Sequence, residues 1–581
     1  MRFRSSPIRR PGCHVRHSPV TGAGLKGGYK RYDRWIENGF DASCQVAPER
    51  KGGNVMKKNS RILSALVGAA LILALFTGTS QPQESSKLTA DVAVIGAGAS
   101  GVTAAVAAAD KGANVIIIEK SPTIGGASNI SWGARFVNSS VAVKNGMKVD
   151  VEKTINDWIT LNHWRVNIAN VRDYINNSGA TYDWLTSHGY PTTLINVMGM
   201  PVHLLPDHSA RQGMLRKMLA DSVEKNGGKV LTETAGTKLL TDDNGAVIGV
   251  QATRKDGTVL DIMAKAVIIA TGGYAGNREM VKEASGFDPV PAGLPQNVGQ
   301  GLKMAWAVGA AKPKNFGIQM FHQNVTPATR KLMSQYSPDK ASYPYLLSYI
   351  PSLMNVTPSG ERFRDELLLM NPDAAAISAI YRGPYFYAIV SKSQLDTLTR
   401  EGMKGIGLPA LPVISPARYS AWADKYTLDH PWADAESVLD SVVANGDGFK
   451  GASIEELARN AGMDPAIFGQ TFSNYEQACK TGLDTEFGKV PPFLAAYGAG
   501  PYYAIRTEIN NLASVGGLDV NKQFQVLNEK RLPIKGLYSV GLEAQGALFG
   551  DSYIGSGDGL GYAFTSGRLG GACAAGYALG Q

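Results

Sequence analysis

The arrangement that most constrains this chain is a short apolar run, an alanine-rich segment and a second short apolar run. Residues 92–95 predict a buried strand, residues 102–111 predict a helix that Gly112 ends, and residues 115–118 predict another strand. Four apolar residues in a row are typical of a strand that is buried on both faces. The segment therefore predicts a βαβ unit with two parallel strands.

A glycine motif connects the first strand to the helix. Gly96, Gly98 and Gly101 form G-x-G-x-x-G, and Glu119 ends the second strand. In a βαβ unit these glycines permit a tight turn, the approach of a pyrophosphate and close packing of the helix on the strand. The helix N-terminus attracts phosphate, and a carboxylate at the end of the second strand can hold ribose hydroxyls. The motif therefore predicts dinucleotide binding.

The positive charge of the chain lies at its start. Of 581 residues with a formal charge of +9, residues 1–55 carry 11 Lys or Arg against 4 Asp or Glu. Residues 56–79 add three more basic residues and no acidic ones. The remainder is close to neutral, so the charge gives no reason to expect a nucleic-acid partner.

Residues 56–79 have the three parts of a secretory signal peptide. Met56 opens a short basic segment, residues 62–76 are apolar or small, and small residues follow. The apolar run is short for a membrane span, which needs about 20 residues. We therefore expect a protein that is exported to the periplasm or another extracytoplasmic bacterial compartment, in contact with the membrane only if this leader stays uncleaved. Residues 1–55 are expected to be a non-native or disordered extension.

The pattern predicts further elements along the chain. They are helical structure at 151–190, an amphipathic helix at 211–225, a β-meander at 230–240, 247–253 and 259–264, a separate buried strand from residue 266, a buried strand from residue 536 and a closing helix at 562–577. Residues 278–505 change character, with many Tyr and Pro and mixed short helices. This change predicts a second domain inserted into the first.

Cysteine usage gives no sign of a built-in electron-transfer chain. Cys13 and Cys44 lie in the doubtful extension, and Cys479 and Cys573 are far apart. The sequence has no C-x-x-C-H haem motif and no cysteine cluster for zinc or iron–sulfur, and we expect no metal site. Electrons for flavin or nicotinamide chemistry are therefore expected from a separate protein.

Four separated motifs give the chain a family resemblance. They are the glycine motif ending in Glu119, Ile124-Gly-Gly-Ala-Ser, Ala270-Thr-Gly-Gly-Tyr and Gly536-Leu-Tyr-Ser-Val-Gly-Leu-Glu. In this order they make the chain, over about residues 88–581, resemble the fumarate reductase and succinate dehydrogenase flavoproteins. The resemblance implies FAD as the cofactor, held without a covalent bond.

The resemblance also implies a fold. It is an α/β fold in which a Rossmann-like, discontinuous FAD-binding domain is interrupted by an α+β capping domain, with the flavin between them. The implied division is a linker at 80–87, a first FAD-binding part at 88–277, a capping domain at 278–505 and a second FAD-binding part at 506–581. The implied cofactor residues are Gly96, Gly98, Ala99, Ser100, Gly101, Glu119, Lys120, Gly126, Ala127, Ser128, Ala270, Thr271, Gly272, Gly273, Glu543, Asp558 and Leu560.

The chain departs from the family where the family holds fumarate. The family's proton-donating arginine falls on Met370, and a thioether cannot donate a proton. The family's proton-relay glutamate and arginine fall near Leu346 and Tyr349. A family histidine falls near Ala513, and a second substrate arginine falls near Tyr553 or Ile554. Only His322 stands near a family histidine. A carboxylate left unpaired in a dry site costs several kcal/mol, on the order of the penalty for a buried ion. The resemblance therefore implies a substrate other than a dicarboxylate.

A loop near the C-terminus resembles a different branch of the superfamily. Ser552-Tyr-Ile-Gly-Ser-Gly is similar to the Tyr-Pro-Gly-Ala-Gly loop of ketosteroid dehydrogenases. By this match Tyr553 and the N–H of Gly557 would hold the carbonyl oxygen of an enone. Those enzymes carry a catalytic tyrosine at the position of Met370, which this chain lacks.

A group of tyrosines upstream could replace the missing proton donor. Tyr343, Tyr345 and Tyr349 lie within one short segment, although simple packing is the alternative role for each. The candidate catalytic residues are therefore Tyr553, Gly557, Tyr349, Tyr345 and His322.

The expected protein is an exported FAD-dependent oxidoreductase acting on CH–CH groups. It would reduce a C=C bond conjugated to a carbonyl, in an enone or an acrylate-like compound. Its electrons would come from a separate donor, a cytochrome or a membrane quinol dehydrogenase. Two alternatives stay open: the reverse desaturation by a ketosteroid-type dehydrogenase, and a flavin electron-transfer module without substrate turnover.

Overall fold

The computed structural model describes residues 86–581 except 132, 198–199, 205–207, 313–316, 371–376, 381–382, 408–426 and 551–556. The expected extension at 1–55, the expected signal peptide at 56–79, most of the linker and Tyr553 lie outside the described residues.

The strands and helices are numbered in chain order. The strands are β1 (Ser86–Ile95), β2 (Val115–Ile118), β3 (Gly133–Arg135), β4 (Thr193–Val197), β5 (Met200–Leu204), β6 (Lys229–Leu231), β7 (Thr234–Thr241), β8 (Val247–Arg254), β9 (Val259–Ile269), β10 (Val290–Pro291), β11 (Gly317–Asn324), β12 (Asn355–Val356), β13 (Tyr385–Ser391), β14 (Gly448–Gly451), β15 (Tyr502–Val515), β16 (Gln525–Leu527) and β17 (Pro533–Ser539). The α-helices are α1 (Ala99–Asp110), α2 (Ser140–Lys144), α3 (Val151–Leu161), α4 (Ile168–Ser187), α5 (His208–Met218), α6 (Arg278–Ser285), α7 (Gln300–Ala307), α8 (Pro327–Met333), α9 (Pro338–Leu347), α10 (Ile377–Ile380), α11 (Lys392–Glu401), α12 (Ala435–Ala444), α13 (Ile454–Ala461), α14 (Pro465–Thr481) and α15 (Asp558–Leu579).

A mainly parallel sheet carries the glycine motif. Its parallel strands run in the order β17-β9-β1-β2-β6, with β16 at one edge and the antiparallel strands β7 and β8 attached through β9. Val94 in β1 pairs with Ile117 in β2 and with Ile268 in β9, and all three are buried. The predicted βαβ unit is confirmed.

The predicted β-meander needs one correction. The stretch at 230–240 is two strands, because β6 pairs in parallel with β2 whereas β7 pairs antiparallel with β8. Glu233, between them, has a φ of 50°, and this left-handed residue lies in the turn that separates the two strands. The strands predicted at 259–264 and from 266 are one strand, β9, which pairs with β1 along both halves.

Helical structure at 151–190 is confirmed but is divided. Helix α3 ends at Leu161, and α4 begins at Ile168. His163 and Trp164 between them have φ values of 52° and 59°, which a right-handed helix does not accommodate.

Helix α1 packs against α15, the helix that closes the chain. Both are built largely from alanine, glycine and other small residues, and most of their residues are buried. Since α1 follows β1 directly, this packing brings the start of α15 close to the glycine motif.

A second sheet has six strands, all between residues 290 and 515. Its centre is the long strand β15, which pairs with β10, β11, β13 and β14, and β12 extends the sheet beyond β13. A small third sheet has the order β3-β5-β4. In the part of the chain that the structure describes, no helix combines the length and apolar character that a membrane crossing requires.

Candidate active site

A cavity opens at the carboxyl ends of the parallel strands. Ile95 at the end of β1, Ile118 at the end of β2 and Ala270 just after β9 line it. Open α/β sheets bind their ligands at this edge, where the strand ends leave a crevice.

Most residues that were predicted to hold a cofactor line this cavity. They are Gly96, Gly98, Ala99, Ser100, Glu119, Lys120, Gly126, Ala127, Ser128, Ala270, Thr271, Gly272 and Leu560, together with the candidate catalytic residue Gly557. The cavity lining does not include Gly101, Gly273, Glu543 or Asp558. The contacts described below place these four behind the lining.

The glycine motif forms a turn with open space on its cavity side. A β-carbon added at Gly98 would meet nothing nearer than the Gly125 carbonyl oxygen, at 3.9 Å. Gly101, in contrast, packs directly on the backbone of Gly96. Gly98 therefore faces space in which a ligand fits, whereas Gly101 serves helix packing.

Glu119 ties the end of β2 to this turn. One carboxylate oxygen accepts a hydrogen bond from the N–H of Ala97 at 2.8 Å, and the other accepts from the N–H of Ser121 at 2.8 Å. The next residue, Lys120, donates its ammonium group to the carbonyl oxygen of Gln296. Burial lowers the pKa of Lys120. Gln296 also lines the cavity, so the lysine connects two of its walls.

The loop at 124–131 is fixed by an arginine, Arg211, that no sequence motif indicates. Arg211, in α5, donates to the carbonyl oxygens of Ser128, at 2.6 Å, and Ser131. Ser128 and Ser131 both line the cavity, and the N–H of Gly125 bonds to the carbonyl of Ala97 at 2.8 Å. A single arginine on an amphipathic helix gives no sequence signal for such a contact.

A buried carboxylate supports the wall after β9. Glu543 accepts hydrogen bonds from the hydroxyl of Thr271 and from the N–H of Gly273, the latter at 3.1 Å. Its side chain is fully buried, and this burial raises its pKa. Its second oxygen, Oε2, has no hydrogen-bond partner among the described residues.

A second buried carboxylate lies at the start of α15. Asp558 is ion-paired with Arg135 at 3.3 Å and accepts a hydrogen bond from the hydroxyl of Tyr174 at 3.3 Å. Burial raises the pKa of Asp558 to about 6, although Arg135 and Tyr174 oppose this shift. Arg135 also donates its backbone N–H to the carbonyl of Gly557 at 3.0 Å. Arg135 has no sequence signal for this role, because its partner Asp558 lies 423 residues further along the chain.

These walls fit FAD. The N-termini of α1 and α15 both lie at the cavity, where their N–H groups and positive dipole ends suit phosphate and electron-rich ring atoms. Gly98 leaves space beside the turn in which a pyrophosphate group fits. The glycine motif, Glu119 and the loop at 124–131 would hold the nucleotide.

Strand β15 contributes an apolar part of the cavity wall. Leu512 and Ala513 line the cavity together with residues of the glycine-rich walls. They lie just before the Val515-Gly-Gly motif, with Ser514 between, so the motif was a sequence signal for their position. The family resemblance implies a substrate-binding histidine near residue 513. This chain has an alanine there, whose side chain is only a methyl group.

The candidate tyrosines occupy different environments. Tyr343 stacks on Trp432 with ring centroids 4.5 Å apart, and its hydroxyl has no partner in the described part of the chain. Tyr349 is fully buried and donates to the carbonyl of Gln323 at 2.9 Å. Tyr345 is half-buried, with its ring 5.1 Å from that of Tyr349. His322 lies in β11, opposite Asn510 of β15. The three tyrosines do not belong to the cavity lining described above.

Comparison with known proteins shows the family of the chain. Residues 91–560 match the family described as FAD binding domain. The chain is 29% identical over 506 residues to vinyl phenol reductase of Lactiplantibacillus plantarum, covering 84% of this chain and 96% of the relative. It is 27% identical over 503 residues to fumarate reductase (cytochrome) of Shewanella frigidimarina, covering 84% of this chain and 77% of the relative.

A solved structure shares the fold. The 3-ketosteroid delta1-dehydrogenase of Sterolibacterium denitrificans superposes with a TM-score of 0.61 at 19% identity, covering 85% of this chain and all of that one. The fold and cavity define an FAD-dependent oxidoreductase that acts on CH–CH groups. The chain belongs to the FAD binding domain family, and the predicted resemblance to fumarate reductase flavoproteins is confirmed.

Proposed function

We propose that this protein reduces a C=C bond conjugated to a carbonyl or a similar electron-withdrawing group in a neutral or singly charged substrate, and that fumarate is not its substrate. The observation that carries this proposal is the apolar wall formed by Leu512 and Ala513. A dicarboxylate needs charged hydrogen-bond donors on both ends, and this wall offers none. The similarity to vinyl phenol reductase over almost the whole length of that enzyme supports a substrate without two carboxylates.

Bound FAD and different residues of this chain would each contribute to one step of the reduction. Bound FAD, held without a covalent bond, would supply a hydride to the double bond after reduction. Tyr553 and the N–H of Gly557 would hold the substrate oxygen on which negative charge develops. A tyrosine of the group at 343–349 would give a proton to the neighbouring carbon.

An anaerobic experiment tests the substrate class. The flavin of the purified protein is reduced, and fumarate, a cinnamate, a vinyl phenol and a steroid enone are added separately. We expect one of the last three compounds to reoxidise the flavin at least about a hundredfold faster than fumarate, because an unpaired buried carboxylate costs several kcal/mol. Reoxidation by fumarate at the highest rate would refute the proposal.

Tyr553→Phe tests the proposed oxyanion site. Removal of one such donor lowers turnover by about 10²–10³, and we expect a loss of this size with little change in flavin content. Tyr577→Phe, which alters an exposed tyrosine near the end of α15, is the matched control and should keep full activity.

We also propose the domain division at 88–277, 278–505 and 506–581, with the middle part as a capping domain. The strands of the parallel sheet fall within residues 86–269 and 525–539, whereas those of the six-stranded sheet fall within 290–515, which supports a separate middle part but places its end after β15 and not at residue 505. Limited proteolysis of the holoenzyme should first release fragments cut near 278 and in the segment 516–524 that follows β15. Early cuts inside the parallel sheet would contradict it.

Export and a separate electron donor complete the proposal. We expect mass spectrometry of the native protein to find an N-terminus near residue 80, and its recovery in the periplasmic fraction. The reduced donor is expected to be a cytochrome or a membrane quinol dehydrogenase, since the sequence carries no haem motif. A native protein that begins at residue 1 or 56 and stays in the cytoplasm would contradict export.

A further inference from the structure

A buried ion pair lies directly behind the cavity wall at the start of α15. Asp558, the first residue of that helix, and Arg135, the last residue of β3, are joined at 3.3 Å, and both are buried. Gly557 and Gly559, on either side of Asp558, line the cavity, and so does Gly133, two residues before Arg135. Asp558 is therefore one residue away, on both sides, from the space that fits FAD.

Tyr174 and the backbone hold this pair in one arrangement. The hydroxyl of Tyr174 donates to the carbonyl of Arg135 at 2.9 Å and can also donate to Asp558 at 3.3 Å. The backbone N–H of Arg135 donates to the carbonyl of Gly557 at 3.0 Å. A β-carbon added at Gly561, further along α15, would come within 2.1 Å of the Arg135 carbonyl oxygen. Because this packing holds the carboxylate in place, it responds to a new charge in the cavity by changing its protonation.

The charge of the pair depends on one proton. When Asp558 is ionised, Asp558 and Arg135 together are neutral, and when Asp558 is protonated, the positive charge of Arg135 remains. Burial raises the pKa of Asp558 to about 6, although Arg135 and Tyr174 oppose this shift. Both charge states of the pair are therefore accessible near neutral pH.

A negative charge in the cavity favours the protonated form of Asp558. A flavin that takes up two electrons and one proton gains one negative charge. Since consecutive α-carbons are about 3.8 Å apart, the Asp558 carboxylate lies within about 10 Å of the cavity. At an effective dielectric constant of about 20, unit charges at this separation change an equilibrium constant by about tenfold or more. Reduction of the flavin should therefore raise the proton affinity of Asp558 by about this factor.

We propose that Asp558 takes up a proton when the bound FAD is reduced, and that this uptake, together with the charge of Arg135, sets the potential of the flavin. This inference rests on the FAD of the proposed reductase but not on its substrate. Two electrons from the donor enter the flavin, which takes one proton itself, and the carboxylate of Asp558 takes a second proton from water. When the flavin gives up a hydride, Asp558 returns its proton to water. By linkage, protonated Asp558 makes the flavin easier to reduce by the same factor.

Other ionisable groups around α15 bear on this titration. Among the described residues, Arg135 of β3 and Tyr174 of α4 face Asp558 directly. Tyr562 donates to the carbonyl of Ala544 at 3.3 Å, and Glu543, in the segment before α15, is bound by Thr271 and Gly273. Further along α15, the ionisable groups on the helix or facing it are Lys111, Asp173, Tyr538, Arg568, Cys573 and Tyr577. Apart from Tyr174, the variants below leave these groups unchanged.

The first test measures the flavin potential of the holoenzyme between pH 5 and 9 by spectroelectrochemical titration. We expect Asp558→Asn and the wild type to have equal potentials at pH 5, where the carboxyl is protonated in both flavin states. At pH 9 the wild-type potential should be about 30 mV lower, because a tenfold coupling equals about 30 mV for a two-electron couple. Asp243→Asn, at an exposed position, is the control and should match the wild type at every pH. Equal potentials of D558N and the wild type at pH 9, or a difference that is the same at all pH values, would overturn the proposal.

The second test observes the proton itself. Infrared difference spectra of the holoenzyme at pH 7, reduced minus oxidised, should gain the carbonyl band of a protonated carboxyl group in the wild type and in D243N, but not in D558N. Absence of this band in the wild type would overturn the proposal.

A third variant keeps the proposal testable if D558N does not hold FAD. Tyr174→Phe removes one oxygen that favours the carboxylate of Asp558, so the pH at which the infrared band is largest should rise by about 1 unit. An unchanged pH in Y174F would overturn the proposal. None of these measurements uses an alkene, so the substrate panel decides the proposed reductase function separately.

Discussion

Gly101 lies so close to Gly96 that a β-carbon added at residue 101 would come within 1.8 Å of the Gly96 carbonyl oxygen. Gly98, three residues earlier in the same motif, has 3.9 Å of clearance. Two glycines of one motif therefore have different roles, one in packing and one in ligand approach.

Gly98→Ala should separate cofactor binding from folding. The backbone at Gly98 has a φ of −73°, which alanine adopts without strain, so the apo-protein should keep its melting temperature. FAD affinity should fall by about a hundredfold, because hydrogen bonds to a charged phosphate contribute about 1.5–3 kcal/mol each. Flavin fluorescence titration and a thermal melt of the apo-protein measure the two effects.

Gly101→Ala is the matched comparison. Its β-carbon meets backbone, which cannot move as a side chain does, so we expect it to destabilise the protein by about 3 kcal/mol or more. If G98A and G101A lose the same FAD affinity and the same stability, the assignment of Gly98 to ligand approach and of Gly101 to helix packing is wrong.

Arg211→Met should loosen the loop at 124–131. The arginine holds the carbonyls of Ser128 and Ser131, so its loss should weaken FAD binding by about tenfold, the equivalent of one charged hydrogen bond. Arg216→Met on the same helix removes an exposed pair with Glu224 and should change stability by less than about 1 kcal/mol and FAD affinity not at all. Equal affinity in R211M and the wild type would show that the loop holds its shape alone.

The elements around the cavity were predictable where the sequence pattern is local. The runs at 92–95 and 115–118 and the alanine-rich α1 were correct because burial on both faces leaves a continuous apolar signal. The division of 230–240 into β6 and β7 was missed because it depends on pairing with β2, a contact more than a hundred residues away.

The contacts that fix the cavity were predictable only in part. Glu119 and Glu543 lie in motifs with a recognisable order, so they could be named from the sequence. Arg211 and Arg135 could not, because their partners are set by the packing of distant segments and not by spacing.

Glu366→Gln should destabilise the protein strongly. The buried carboxylate binds Arg362 at 2.9 Å and Lys489 at 2.7 Å, and its loss leaves cations without compensation, at a cost of about 3–5 kcal/mol. Burial alone would raise the pKa of Glu366, but Lys489 and Arg362 outweigh it and hold the pKa below its ordinary value. The carboxylate therefore stabilises the fold above its unfolded pKa, and this contribution is lost as pH falls through the folded pKa.

Urea unfolding of E366Q and the wild type between pH 3 and 7 measures both effects. The difference in unfolding free energy between the wild type and E366Q should become smaller as the pH is lowered. Glu361→Gln, at an exposed position of the same segment, should stay within about 0.5 kcal/mol of the wild type. If the difference in unfolding free energy between E366Q and the wild type is the same at all pH values, Glu366 does not carry the negative charge assigned to it.

Asp558→Asn should remove a pH dependence of stability that the wild type shows. Burial raises the pKa of Asp558 to about 6, above its unfolded value of about 3.9. The folded state therefore holds this proton more tightly, so wild-type stability should fall as pH rises from about 4 to about 6, by up to about 3 kcal/mol, and then level off. Urea unfolding of the FAD-saturated protein should show this decline in the wild type and in the exposed control Asp243→Asn, but not in D558N. An identical slope in D558N would mean that Asp558 is already ionised at pH 4, with Arg135 outweighing its burial.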